Sequence, residues 1–287
     1  MTPRHYTIDV RGLEIHWVEW GERRAEPIIL VHGFRDHCRS WDFLVNELRN
    51  LLPEVWIVAP DCRGHGDSGW VGRGGYYHFF DYLMDLDTLV NSLGVRSMML
   101  VGHSMGGTIA SLYAGTYPGR VSKLALVEGL GPPGRTFNDA PDRAIRWLDG
   151  VRRLEGVTLR EYASLEAGAR RLQKTAPRLD DERAMVLARH AMRSTPQGTW
   201  LWKFDPLHRT TSPQPFYLEQ FAAFLSRVSC PTLVVQGAES AQQTRGDTHA
   251  RSRFLKKPSF VTIQDASHWV QQDNPSALAR ALAPFLT

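Results

Sequence analysis

The chain is poor in cysteine and contains no long hydrophobic run. Its 287 residues include three cysteines, Cys38, Cys62 and Cys230, and their spacing matches no metal-binding motif. Such a sparse, odd-numbered set is typical of a reducing compartment, where each thiol packs as a small apolar side chain. No apolar run approaches the roughly 20 residues that span a bilayer, and the polar start MTPRHYTIDV lacks the apolar segment of a secretory signal. The sequence therefore predicts a cytoplasmic protein without a membrane span.

A strong charge of either sign is also missing, since the formal net charge is only +4. No nucleic-acid-binding motif and no phosphate-binding loop is present, so we expect no nucleic-acid partner and no cofactor. Residues 132–215 contain fifteen Lys or Arg and ten Asp or Glu, and so carry the whole positive excess. Solvated helix faces are the favoured interpretation of this excess, and attraction of an anionic substrate to a site entrance is the alternative.

Residues 97–117, SMMLVGHSMGGTIASLYAGTY, contain the feature around which the chain is organised. The apolar run 98–101 predicts a buried strand, and the residues after Gly106 have the spacing of a helix. Between them lies G-x-S-x-G, centred on Ser104, in the strand–turn–helix context of a nucleophile elbow. Side chains at Gly102 and Gly106 would collide with neighbouring backbone in so tight a turn. We therefore interpret Ser104 as a nucleophile at the start of a helix, where negative charge is stabilised.

Apolar runs typical of strands alternate with amphipathic helical patterns along most of the chain. This alternation predicts a mainly parallel sheet that is covered by helices on both sides. The predicted strands are 6–10, 13–20, 27–31, 55–59, 98–101, 124–127, 231–235 and 260–264, and the predicted helices are 41–52, 79–93, 107–117, 216–228, 251–257 and 274–286.

The strand–helix alternation stops between residues 132 and 215. This stretch has Arg-rich helical pieces interrupted by prolines, and it contains no run typical of a buried strand. The pattern predicts a helical cap, or lid, at 132–215 inserted into a core domain made of 1–131 and 216–287.

Two further motifs accompany the elbow. His32-Gly33 follows the predicted strand 27–31, and D-x-R-G-H-G-x-S begins at Asp61. With these motifs in this order, the sequence resembles the α/β-hydrolase fold family in its serine-nucleophile branch, over residues 1–131 and 216–287. Within the cap, the run 202–206, WKFDP, resembles serine hydrolase-like members. The resemblance implies a mostly parallel sheet of about eight strands, flanked by helices and carrying an inserted cap.

The resemblance also assigns roles to residues near Ser104. The oxyanion hole would consist of the backbone N–H groups of Phe34 and Met105, with His32 and Gly33 supporting the first of these. The general base would be His268, because it follows the last predicted strand in Asp265-Ala266-Ser267-His268-Trp269. A serine hydroxyl needs an imidazole to take its proton and later return it to the leaving group.

The acid that orients the imidazole is ambiguous in the sequence. The family's usual position, Gly-x-x-Asp after the strand 231–235, is occupied by Ser240, with Glu239 one residue earlier. Glu128 follows the strand after the elbow helix, where some haloalkane dehalogenases carry their acid. We favour Glu128, keep Glu239 as the alternative acid, and rank Asp247 third.

A serine nucleophile favours acyl transfer over the chemistry of the epoxide hydrolases and haloalkane dehalogenases of this fold, which use aspartate. The expected substrate is a small to medium apolar carboxylic ester, thioester or lactone, and the oligomeric state is not predicted. One alternative is a carbon–carbon bond hydrolase with the same triad, and another is a catalytically weak ligand-binding member. We expect an apolar substrate pocket, with Arg35 either binding a substrate carboxylate or exposed. The tryptophans predicted to line this pocket are Trp41, Trp147, Trp200, Trp202 and Trp269.

Overall fold

A single eight-stranded sheet forms the centre of the computed structural model, which describes residues 2–24, 26–155, 157–241 and 247–287. The sheet order is β1-β2-β4-β3-β5-β6-β9-β10. Strand β2 runs in the direction opposite to the other strands, and it therefore pairs antiparallel with both β1 and β4. A separate antiparallel pair is formed by β7 and β8. The strands are β1 (Arg4–Val10), β2 (Leu13–Trp20), β3 (Ile28–Val31), β4 (Ile57–Pro60), β5 (Met98–His103), β6 (Val121–Val127), β7 (Met192–Ser194), β8 (Trp200–Trp202), β9 (Thr232–Gly237) and β10 (Ser259–Ile263).

Helices cover both faces of this sheet. Alternate strand residues point to opposite faces, so Leu100 and Leu124 pack under α2, α3 and α7, while Val101 and Ala125 pack under α1 and α10. The predicted class, a mostly parallel sheet of about eight strands flanked by helices, is confirmed. The helices are α1 (Asp42–Leu51), α2 (Phe79–Ser92), α3 (Met105–Thr116), α4 (Ala140–Leu154), α5 (Leu165–Gln173), α6 (Asp181–Ala191), α7 (Leu218–Leu225), α8 (Asp247–Ser252), α9 (Val270–Asp273) and α10 (Pro275–Leu286).

One predicted helix is displaced along the chain. The pattern at 251–257 predicts a helix, but α8 ends at Ser252, and turns continue to Lys257, which has φ 51°. The apolar residues Phe254 and Leu255 that suggested the helix reach the core from those turns. No described helix combines the length and apolarity needed to cross a lipid bilayer.

The segment 132–215 contains α4, α5 and α6 and the short pair β7–β8. That pair was not predicted, although its connection contains Pro196-Gln197-Gly198, in which Gly198 has φ 80°. The two helices α5 and α6 share a small core of their own, which includes Ala169, Ala184 and Leu187. The boundaries at 132 and 215 stay a prediction.

Candidate active site

Ser104 lies in the sharp turn between β5 and α3. Its backbone has φ 51° and ψ −114°, a strained conformation for a residue with a side chain. A Cβ on Gly106 would lie 2.1 Å from the carbonyl oxygen of Val31, and one on Gly102 would lie 2.4 Å from that of Gly106. The turn therefore has no room for a side chain at either glycine, as the sequence predicts. Ser104 lies at the N-terminus of α3.

The fold brings Ser104, His268 and Glu128 together at the carboxyl ends of β5, β10 and β6. The imidazole Nε2 of His268 lies 3.0 Å from Ser104 Oγ, and its Nδ1 lies 3.3 Å from Glu128 Oε2. The ring is therefore placed between a hydroxyl and a carboxylate, each within or near hydrogen-bond reach. This is the arrangement in which an imidazole can take a serine proton while a carboxylate fixes its tautomer.

Glu128 is held by donors from the neighbouring strand end. It is 3% exposed and has φ 54°, and its Oε1 accepts the amide N–H of Gly237 at 2.8 Å. Its Oε2 accepts the hydroxyl of Ser240 at 2.6 Å. Ser240 thus occupies the position where the family resemblance puts an aspartate, but it donates a hydrogen bond to a carboxylate that comes from the strand beside it. These two donors fix the orientation of the buried carboxyl group.

The alternative acid lies elsewhere. Glu239 has a side chain that is 51% exposed and forms an ion pair with Arg178, so the structure does not place it at His268. This differs from the alternative that the sequence left open, and the reason is the one-residue offset, which turns Glu239 away from the site. The side chain of Asp247 lies outside the described residues.

The loop after β3 brings Phe34 beside Ser104. Both Phe34 and Met105 line the same cavity as Ser104 and His268, and Met105, as the first residue of α3, has an N–H without an intrahelical partner. His32 braces the loop, since its Nδ1–H donates to the Gly33 carbonyl at 2.7 Å and its Nε2 accepts the Cys62 N–H at 2.9 Å. Burial lowers the pKa of His32, so the ring is neutral and structural. A Cβ on Gly33 would lie 2.6 Å from the His103 ring.

His103 was missed in the sequence, although it belongs to the elbow motif. It is fully buried, and its Nε2 lies 2.8 Å from the carbonyl oxygen of His268, while Nδ1 lies 3.2 Å from the amide of Gln271. Burial, together with the nearby His268 ring, lowers the pKa of His103 well below its ordinary value. A neutral His103 therefore holds the backbone of the base without adding a charge beside it.

A cavity of about 560 Å³ opens above Ser104, within the usual size of a small-molecule site. Many aromatic side chains are part of its lining, and several of them come from the run after β4 that the sequence analysis did not single out. The visible signal was the dense aromatic run Tyr76-Tyr77-His78-Phe79-Phe80 directly before α2. Lining aromatic residues include Phe34, Tyr76, Tyr77, Phe79, Phe216 and Tyr217.

The predicted tryptophan pocket is wrong, because none of the five tryptophans is among the described residues that line this cavity. Trp41 is fully buried below the site, edge-on to His103 at 6.4 Å. Trp269 packs on the outer side of His268, at 5.6 Å between ring centroids. Trp200 and Trp202 lie on β8, and Trp202 stacks on Phe204. Trp147, on α4, contacts the cavity-lining Tyr76 from behind at 5.9 Å.

Polar contacts hold the segment 132–215 against the rest of the chain near the cavity. The buried Asp205 accepts the Tyr77 hydroxyl at 2.7 Å. Arg35 donates to the carbonyl of His208 at 2.8 Å and packs over the Phe34 ring. Arg35 is exposed, as one of the two interpretations of the sequence expects, and its guanidinium is at the same time engaged with this segment.

One group of potential metal ligands occurs among the described residues. Atoms of His16, Cys38 and Asp61, all buried, lie within 4.8 Å of one another. The Asp61 carboxylate already accepts the His16 ring N–H at 2.7 Å and the amides of Cys38 and Asp67 at 2.7 and 2.9 Å. Burial, reinforced by Asp61, raises the pKa of the Cys38 thiol well above its ordinary value. We interpret the group as a hydrogen-bonded scaffold under the loop after β3.

Comparisons with known proteins identify the family to which the chain belongs. Residues 28–281 match the profile of the alpha/beta hydrolase family. A probable serine hydrolase of Drosophila melanogaster is 30% identical over 286 residues, which cover 96% of this chain and 84% of that protein. Epoxide hydrolase 4 of Homo sapiens is 26% identical over 281 residues, which cover 96% of this chain and 76% of that protein.

A solved structure supports the same assignment. A hypothetical protein of Pseudomonas aeruginosa PAO1 superposes with a TM-score of 0.87 at 26% identity, covering 98% of this chain and 97% of that one. The chain belongs to the α/β-hydrolase family, and it is a hydrolase of that family.

Proposed function

We propose that this protein is a serine hydrolase that cleaves carboxylic esters, or the related thioesters and lactones, through an acyl-enzyme on Ser104. The observation that carries the proposal is the continuous contact from Ser104 Oγ to His268 Nε2, at 3.0 Å, and from His268 Nδ1 to Glu128, at 3.3 Å. Ser104 and His268 both line a cavity that has several aromatic side chains in its lining. Such a cavity suits a small to medium apolar acyl group.

In the first half of the reaction, His268 Nε2 takes the Ser104 proton as Oγ attacks the substrate carbonyl. The oxyanion that forms is placed to accept hydrogen bonds from the N–H groups of Phe34 and Met105. The protonated imidazole, stabilised by Glu128, then gives its proton to the leaving alkoxide or thiolate, and the acyl group stays on Ser104. In the second half, water replaces the alcohol, and its proton passes through His268 back to Ser104.

The serine favours ester cleavage over the epoxide opening named in the human relative. Attack of Ser104 on an epoxide carbon would leave an alkyl ether on the enzyme. An ether has no carbonyl carbon for water to attack, so the intermediate would not be released by a base-activated water. An acyl ester on Ser104 has that carbonyl.

The segment 132–215 is proposed to act as the cap that covers this cavity. Its residues Leu207, His208 and Thr210 line the cavity opposite Ser104, and Asp205 anchors the segment to Tyr77. We also propose that the protein works in the cytoplasm. The three cysteines are free thiols, and Cys38 and Cys62 are buried, as a reducing compartment permits.

The proposal is tested by labelling with a fluorophosphonate, which reacts with activated serines, followed by peptide mapping. We expect the wild-type protein to be labelled at Ser104, the Ser104→Ala variant to be unlabelled, and labelling of His268→Gln to be slowed by about a thousandfold or more. The matched control is His249→Gln, an exposed histidine on α8, which should label at the wild-type rate.

Ester turnover by the same variants separates the alternatives. Absence of labelling at Ser104 in the wild-type protein would show that the nucleophile is not activated and would support a ligand-binding member of the fold. Turnover by Ser104→Ala close to that of wild type would reject the elbow serine as nucleophile.

A further inference from the structure

Two buried donors without a partner lie on one face of α4. The Arg143 Nε and the Trp147 Nε1 atoms are buried, and neither has a hydrogen-bond partner in the described part of the chain. Residues four apart on a helix lie on the same face, and this face is turned toward Tyr76, whose ring meets Trp147 edge-on. Arg143 itself lines the cavity that contains Ser104. Unsatisfied buried donors are rare in native proteins and point to a missing acceptor.

The charged side chains near Arg143 do not neutralise its guanidinium. Arg135 also lines the cavity, and neither Arg135 nor Arg143 has a carboxylate within 4.0 Å among the described ion pairs. Asp139, the nearby acid, is committed to Thr136, whose amide and hydroxyl it accepts at 2.7 and 3.1 Å. Glu128 lines the cavity as well, but it serves His268, Gly237 and Ser240.

Two half-buried arginines elsewhere in the described part of the chain are paired with carboxylates. Arg63 forms a two-pronged contact with Asp85 at 2.6 and 2.7 Å, and Arg39 forms the same kind of contact with Asp42. Arg35 donates to a backbone carbonyl. Arg143, by contrast, lines the cavity and has no carboxylate partner among the described ion pairs.

A carboxylate matches such a guanidinium. Its two oxygens can accept two N–H groups of a guanidinium side by side, and such charge-assisted pairs are stronger than neutral hydrogen bonds. The indole of Trp147 lies behind Tyr76, outside the cavity lining. Because the site is partly withdrawn from water, the pair is screened less than one on the surface.

We propose that the cavity takes an ester whose acyl chain ends in a carboxylate. That carboxylate binds the Arg143 guanidinium, while the scissile carbonyl lies at Ser104. This inference rests on the ester hydrolase function proposed above and changes its expected substrate from a wholly apolar acyl group to an apolar chain that ends in a carboxylate. It also gives a local reason for the positive excess of residues 132–215, part of which faces the cavity.

The test compares matched 4-nitrophenyl esters in which a terminal carboxylate replaces a terminal methyl group. The hemi-adipate is paired with the hexanoate, and the hemi-suberate with the octanoate, so that two distances are sampled. We expect wild-type kcat/KM to favour the acid-bearing member of at least one pair by about 10- to 100-fold. The preference should shrink by about tenfold or more in Arg143→Gln. Arg146→Gln is the control, since Arg146 lies on the same helix outside the cavity lining, and it should keep the wild-type preference.

A second readout separates failure of the inference from failure of the proposed function. Binding of monomethyl adipate and of methyl hexanoate to the Ser104→Ala protein is measured by calorimetry, with and without Arg143→Gln. Turnover of the neutral esters without any preference for the acid-bearing ones would overturn the inference and leave the ester hydrolase intact. If no nitrophenyl ester is cleaved, binding of monomethyl adipate that depends on Arg143 still supports the anion site, and equal binding of the acid-bearing and the neutral methyl ester rejects it.

Discussion

At the scale of single residues, the position of the acid is the most informative feature of the site. The carboxylate at Glu128 and the hydroxyl at Ser240 form one hydrogen-bonded unit at 2.6 Å, although 112 positions separate them in the chain. Ser240, which occupies the position where an aspartate is expected, therefore has a function in the site. It helps to hold the carboxylate from the neighbouring strand in its orientation toward His268.

Replacing this carboxylate should disable the site with little effect on the fold. We expect Glu128→Gln to lower kcat for a 4-nitrophenyl ester by about 10³- to 10⁴-fold, because the imidazolium formed during attack loses its counter-charge and its tautomer is no longer fixed. The matched control is Glu239→Gln, which breaks only an exposed ion pair and should change kcat by no more than about twofold. The reverse ranking would assign the acid to the loop after β9.

At the scale of elements, the elbow depends on how closely β5, α3 and β3 approach one another. The carbonyl oxygen of Val31 lies where a side chain on Gly106 would begin, and the backbone of Gly129 is equally close to Gly107. The strained Ser104 conformation is maintained by this packing, since nothing local to a serine favours φ 51°.

A single methyl group in this turn should therefore be costly. We expect Gly106→Ala to lower the free energy of unfolding by about 3 kcal/mol and to reduce fluorophosphonate labelling, because the backbone must move to accept the Cβ. Gly119→Ala serves as the control. Its Cβ would meet nothing within 4 Å, and its cost should stay within about 0.5 kcal/mol in urea unfolding. Equal stability of the two variants would contradict the packing argument.

At the scale of the whole molecule, buried histidines couple stability to pH. Burial lowers the pKa of His37 and of His208 to about 3, whereas an unfolded chain has His pKa values near 6.5. Between these values the unfolded chain binds more protons, so stability is fully present above about pH 6.5 and is lost as pH falls toward 3. At pH 5 the loss is about 2 kcal/mol for each such residue. Burial lowers the pKa of His32, His65 and His103 in the same direction.

One buried acid acts in the opposite direction. Burial raises the pKa of Asp36 to about 7, so its contribution decreases as pH rises from about 4 to 7 and is recovered on acidification. A single carboxyl group does not offset several histidines. We expect the urea midpoint to fall between pH 7 and pH 5, and to fall less in His37→Asn than in the exposed control His249→Asn. A midpoint that is constant over this range would show that the buried rings are not held neutral.

The sequence by itself determined the parts of this protein that depend on short-range patterns. Ser104 could be identified because a strand, two glycines and a helix lie within a few residues of it. His268 could be located because the end of a strand is visible in its own apolar run. The sheet and its flanking helices followed from the same alternation.

Only the tertiary structure decided which distant groups meet. The sequence left Glu128 and Glu239 open, because the choice depends on Gly237 and Ser240, which reach Glu128 from more than 100 residues away. It also predicted a tryptophan-lined pocket where the fold places tyrosines and phenylalanines, and it missed Arg143 as a cavity residue. An aromatic or basic residue type shows that a side chain can line a site. The packing of elements remote in sequence decides which side of an element faces the cavity.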